Sequence, residues 1–210
     1  MTREMSAEKR IGQLLSRTEL GSKMFNHLLG NGHLVDIDID SSTWESRSNW
    51  QEKSICLGTA RQDSPTAERL VFGNLSREEA MIHRFNHEMA HLFLLCPTQG
   101  NPLDRGTPVV QQFMRSVDSV RRAHSYKKGL SAVGSMSFYN DGRKPHEDAA
   151  ELIAMRLRSR SYLGAFANYI SNPAHKDTLD RIGVAQTPES VASAIVKQVD
   201  TVVKPALHAL

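Results

Sequence analysis

Apolar positions first follow a helical period: Ile11, Leu14 and Leu15, then Leu20, Met24 and Leu28, closed by Gly30-Asn31-Gly32. From His33 to Asp40 the period becomes two, with Asp36, Asp38 and Asp40 alternating against Val35, Ile37 and Ile39, the pattern of a half-buried strand with a solvent face of aspartates. Ser54-Ile55-Cys56-Leu57-Gly58 and Arg69-Leu70-Val71-Phe72-Gly73 are two further strand candidates, separated by a polar stretch containing Pro65. A three-stranded sheet is therefore expected ahead of a long helix. Ser76-Arg77-Glu78-Glu79 announces that helix, because a serine can accept from the backbone N–H three residues on while the glutamate there reaches back. It should run to about Leu95, where Pro97 stops it.

Thr107-Pro108 opens another helix with Val110, Phe113, Met114 and Val117 on one face. Between Ala123 and Pro145 the chain is rich in Ser, Gly and Lys and reads as a long mobile loop. Pro145 then opens a helix through Arg158 that turns Ala150, Ile153, Ala154 and Leu157 inward. After Asn172-Pro173 the tail is helical again, with Thr187-Pro188 as cap and Val191, Ala194, Ile195, Val199 and Val202 as its buried stripe. The expected fold is α+β, a small mixed sheet packed on a long helix and followed by a mainly helical C-terminal lobe. One domain is expected over residues 1–210, with the division between lobes near residue 98.

Composition narrows the class without choosing a function. Hydrophobic residues make up 40% and charged residues 23%, the make-up of a globular protein rather than a disordered or fibrous one. A net charge of +3 is too small to suggest nucleic-acid or membrane binding. The basic run Arg156-Leu157-Arg158-Ser159-Arg160 reads as a solvated outer helix face. Cys56 and Cys96, the only cysteines, are too few for a disulfide framework and read as buried reduced thiols. The charged start lacks a signal-peptide core, and no apolar run is long enough to span a bilayer, so a cytoplasmic protein, or one exported without a cleavable signal, is expected.

Inside the long helix stands His87-Glu88-Met89-Ala90-His91. Residues four apart share a helix face, so His87 and His91 can offer imidazole nitrogens to one ion, with zinc the expected metal. Glu88 is then placed to take a proton from water at that ion. Composition alone would produce such a pentapeptide about 0.02 times in a chain like this. His83 extends the stripe, but three histidines over eight residues span roughly 12 Å and cannot share one ion. Arg84 also stands where a base would follow His83, which favours the later pair and leaves His83 as a packed or supporting residue.

A third ligand must come from elsewhere, since Leu94 and Pro97 break the extended HExxHxxGxxH pattern. His146-Glu147-Asp148-Ala149-Ala150-Glu151 supplies carboxylates four apart on another helix. Glu147 can reach the metal while Glu151, one turn on, accepts the second N–H of a ligand histidine. His146 and Asp148 are the competing donors, but only Glu147 has a carboxylate beneath it on the same face.

Across residues 76–158 the chain resembles the gluzincin group of zinc metallopeptidases, in which HExxH is followed some tens of residues later by a ligand glutamate on a second helix. Residues 147–151 are more similar to small bacterial lethal-factor-like and secreted-effector peptidases than to the thermolysin pattern. The resemblance implies a zincin-like fold, one Zn²⁺ held by His87, His91 and Glu147, Glu88 as general base, and Glu151 behind a ligand. It also implies Tyr139 as oxyanion donor and a protein or peptide substrate, which would add as a strand along Arg69 to Gly73. Two other readings are a non-catalytic zincin-fold binding or regulatory protein with a structural zinc, and a helical interaction protein in which HExxH is fortuitous.

Overall fold

The computed structural model describes residues 12–60, 76–123, 145–181 and 186–208. In chain order its elements are α1 (Glu19–Gly30), β1 (Asp36–Asp40), β2 (Arg47–Asn49), β3 (Ser54–Gly58), α2 (Arg77–Leu95), α3 (Pro102–Arg105) and α4 (Pro108–Ala123). There follow α5 (Pro145–Arg158), α6 (Arg160–Ser171), a 3₁₀ turn (Pro173–His175), α7 (Lys176–Arg181) and α8 (Glu189–His208). The architecture is α+β, mainly helical with one small mixed sheet.

The sheet order is β1-β3-β2, with β1 parallel and β2 antiparallel to β3. Ile37, Ile55 and Leu57 are buried on the inner face, and α2 packs on β2 and β3. Asp36 and Asp38 are exposed as the alternation predicts, but Ile39 is exposed as well. The expected third strand, Arg69 to Gly73, lies outside the described residues. The third strand seen is β2, whose Arg47-Ser48-Asn49 carries no apolar signal at all and is held by pairing with Cys56, Ile55 and Ser54.

Helix α2 starts as its sequence requires. Ser76 Oγ accepts from Glu79 N at 3.2 Å and Glu79 Oε2 accepts from Ser76 N at 2.9 Å. These bonds from Ser76 hold the Glu79 carboxyl below its usual range. The helix ends at Cys96, and the chain turns back through Gly100, whose N–H donates to Leu95 O. Gly100 has φ +80°, and a Cβ there would also press into the Trp50 indole, so both conformation and space demand glycine.

Helix α5 is buried on nearly every side from Asp148 to Leu157 and touches α1, α2, α4, α6 and α8. It is the axis of the helical part, and one buried apolar cluster runs from α1 and the sheet through α2 and α5 to α8. Thr18 ties the start of α1 to the end of α5, accepting from Gly21 N while its hydroxyl donates to Leu157 O.

Several expectations need correction. Arg156 is not on a solvated face: it is buried, with Nε 2.5 Å from Asp200 Oδ1 on α8. Arg158 stacks its guanidinium over Tyr162, and Ser159 caps α6, a helix that no expectation covered between Arg158 and Asn172. On α8 the buried positions include Ala192 and Val203, while Ala194 is exposed, because the stripe follows contact with α4, α5 and α6. Thr187 is fully buried and its hydroxyl has no hydrogen-bond partner among the described residues, so it does not cap α8. Cys56 and Cys96 are free thiols but only half-buried. The loop expected between Ala123 and Pro145 falls outside the described residues except at its ends.

Candidate metal centre

On α2, His83, His87 and His91 recur every four residues and share one face; on α5, Glu147 and Glu151 do the same. His91 Nε2 lies 2.9 Å from Glu147 Oε2, and His83 Nε2 lies 2.7 Å from Glu151 Oε1. Between them His87 reaches both carboxylates, with Nδ1 2.7 Å from Glu151 Oε2 and Nε2 3.5 Å from Glu147 Oε2. Rising residue number on one helix meets falling number on the other, so the helices run antiparallel here. Imidazoles and carboxylates alternate between them as a ladder of five side chains joined by four contacts.

Charge fixes the hydrogen positions. Burial alone would raise the pKa of Glu151, but the charge and hydrogen bond of His83, with those of His87, outweigh it and hold the carboxyl well below its usual range. A carboxylate only accepts, so His83 Nε2 and His87 Nδ1 both donate to it. His87 therefore turns Nε2 toward His91 Nε2, 3.0 Å away, and toward Glu147. Burial would lower the pKa of His87, but hydrogen bonds to Glu147 and Glu151, with the charges of Glu151 and Glu88, raise it well above the ordinary value. Glu147 follows the same logic: burial raises it, while His87 and His91 hold it well below the carboxylate range.

Nitrogens of His87 and His91 and an oxygen of Glu147 thus converge, and this cluster can hold a metal ion. The donors fit one. Their separations of 3.0, 2.9 and 3.5 Å compare with about 3.3–3.4 Å between ligand atoms on a tetrahedral zinc bonded at ~2.0–2.1 Å. His91 Nδ1 is buried without a hydrogen-bond partner among the described residues, so that ring is held by its Nε2 contacts and by packing against the His87 and His146 rings. A proton and a divalent cation compete for the space between these donors, since ligand nitrogens must be free of hydrogen to bind metal.

The cluster opens on a cleft of about 410 Å³. Glu88, the next residue on α2, lines it together with His87, His91, Glu147 and His146. The rest of its wall is Ser46, Arg47, Ser48 and Trp50, with Leu95 and Gly100. Three contacts hold that wall in place: Arg84 on α2 donates to Trp44 O, Gly58 N donates to Ser46 Oγ, and the Trp50 indole lies against Gly100. A Cβ at Gly58 would collide with the backbone of Trp44 and Glu45, so only glycine lets β3 pass this close.

The structure brings His87, Glu88, His91, Glu147 and Glu151 to one place. Tyr139 lies outside the described residues. Asp148 is fully buried and is not one of the three converging donors. Sequence reasoning missed the cleft wall, β2 and Trp50, for which no local pattern gives a signal. It also left His83 without a partner, although the i−4 spacing from His87 was the clue. No protein-family profile matches the chain, no curated protein is detectably similar in sequence, and no solved structure is detectably similar to it.

Proposed function

We propose that this chain is a zinc-dependent metallopeptidase with a zincin-like arrangement of sheet, motif helix and third-ligand helix. The observation that carries the reading is the convergence of His87 Nε2, His91 Nε2 and Glu147 Oε2 beside Glu88 at the floor of an open cleft. Two nitrogens and one oxygen with an open side form the donor set of a catalytic rather than a structural zinc, which closes its fourth position with protein. A facial pair of histidines and a carboxylate also suits ferrous iron, and the neighbouring base, useful only for moving a proton, favours hydrolysis.

Zinc bound there would supply an acidified water and polarise a carbonyl. Glu88 takes the proton from the attacking water and returns it to the leaving nitrogen. His87 is kept in its ligating orientation by Glu151, and Glu147 supplies the charge that balances the cation. An extended peptide lies along Arg47 to Asn49, the strand at the cleft wall, in the role first given to Arg69–Gly73. Tyr139 remains the oxyanion donor of this reading.

The rival is a zincin-like binding protein with a structural ion. Zinc analysis of the purified chain and of Glu88→Gln, paired with cleavage of a peptide mixture, separates them. The peptidase reading requires one equivalent of zinc in both proteins and cleavage by the wild type only. Zinc without cleavage in either supports the binding protein, and no bound metal removes both.

A further inference from the structure

His83 has no place in the proposed reaction, yet it is buried and bonded into the ladder. It is buried one turn before His87, and Nε2 stands 2.7 Å from Glu151 Oε1, while Glu151 Oε2 stands 2.7 Å from His87 Nδ1. Two imidazoles on one helix thus hold both oxygens of a single carboxylate on another. Glu151 retains only 2% of its side-chain exposure, so water cannot replace either donor.

That geometry has a consequence for His87. The terminal torsion of a glutamate is broad and two-fold, so a carboxylate held at one oxygen can turn about it. Held at both oxygens, it has one position. The direction of His87 Nε2 is set by the hydrogen bond at Nδ1, and that bond is only as fixed as the oxygen accepting it. A residue filling space alone would be better served by an aliphatic side chain, because burying an imidazole beside a carboxylate carries a desolvation cost. His83 cannot itself be a ligand of the same ion, since Glu151 lies between it and His87. The Tyr162 ring also lies beside it, tilted, with centroids 6.5 Å apart.

We propose that His83 is a positioning residue of the metal centre: it clamps the second oxygen of Glu151 so that Glu151 fixes His87 with Nε2 toward His91 and Glu147. The inference rests on the metal reading of that cluster.

The test uses His83→Ala and His83→Gln, since a glutamine amide can donate to the carboxylate where alanine cannot. Proton NMR of the zinc-free wild type should reveal exchange-protected imidazole N–H protons from His83 Nε2 and His87 Nδ1. His83→Ala removes the first by construction, and the proposal expects the second to lose protection too. Chelator competition should find zinc bound about 10-fold more weakly by His83→Ala, with His83→Gln within about threefold of wild type. A His83→Ala protein that keeps the His87 proton protected and its zinc affinity within twofold overturns the proposal, whatever its melting temperature. So does a folded His83→Gln as weak as His83→Ala. A wild-type chain that takes up no zinc overturns the metal reading and this proposal together, whereas zinc uptake indifferent to His83 overturns the proposal alone.

Discussion

His83 with Glu151 and His91 with Glu147 are the same chemical pair, imidazole against carboxylate at 2.7 and 2.9 Å, at opposite ends of one ladder. They differ in what lies beyond them. At the inner end both carboxylate oxygens are taken by imidazole donors, and packed side chains exclude everything else. At the outer end Glu147 keeps 17% of its side-chain exposure and three donor atoms face one another across a gap that opens on the cleft. Identical residues are thus a closed strut at one end and, at the other, part of a cluster that could hold an ion. Residue type supplies capability, and the saturation of its neighbours decides use.

Breaking the outer end should have the largest effect. His91→Ala removes one of three protein ligands, and zinc measured on the purified variant should fall from one equivalent to near zero; full stoichiometry would end the ligand assignment. Glu88→Gln touches the cleft but not the donors. Turnover of a cleaved peptide should drop by about 10²- to 10⁴-fold with zinc content unchanged, and a variant of near-normal activity would remove Glu88 as base.

The inner end should respond less steeply and in a different observable. Glu151→Ala removes the acceptor shared by His83 Nε2 and His87 Nδ1, so zinc affinity should weaken by about 10- to 100-fold while some binding persists. Loss as complete as in His91→Ala would make Glu151 a ligand and erase the distinction between the ends. Asp148, beside Glu147 but buried in the core, sharpens the contrast. Asp148→Ala should cost about 1–3 kcal/mol in denaturant unfolding and keep its zinc, because it alters a fully buried side chain and none of the three converging donors. Smallest of all, Ser76→Ala should cost ~1 kcal/mol through the cap of α2, eleven residues from the first ligand, with zinc affinity unaltered.

Local rules explain which parts were legible in the sequence. The bounds of α2 and α5, the alternation in β1 and the stripe of His87 with His91 each depend on contacts within a few residues: a capping box, a proline at a first turn, a four-residue repeat. These forces act before any tertiary contact forms. Glu147 and Glu151 could be picked out for the same reason, as carboxylates one turn apart on a helix the sequence already delimited.

Tertiary structure alone decided the rest. β2 exists because β3 offers it hydrogen-bonding partners, since Arg47-Ser48-Asn49 has no strand pattern of its own. Arg156 is buried because Asp200, 44 residues away, meets it across two helices, and nothing near Arg156 in the chain announces that ion pair. The same holds for the clamp on Glu151. Periodicity put His83 on the right stripe, but only the antiparallel crossing of α2 and α5 set it opposite Glu151, 68 residues on, because pairing between helices depends on their register and crossing, which no repeat within either helix encodes.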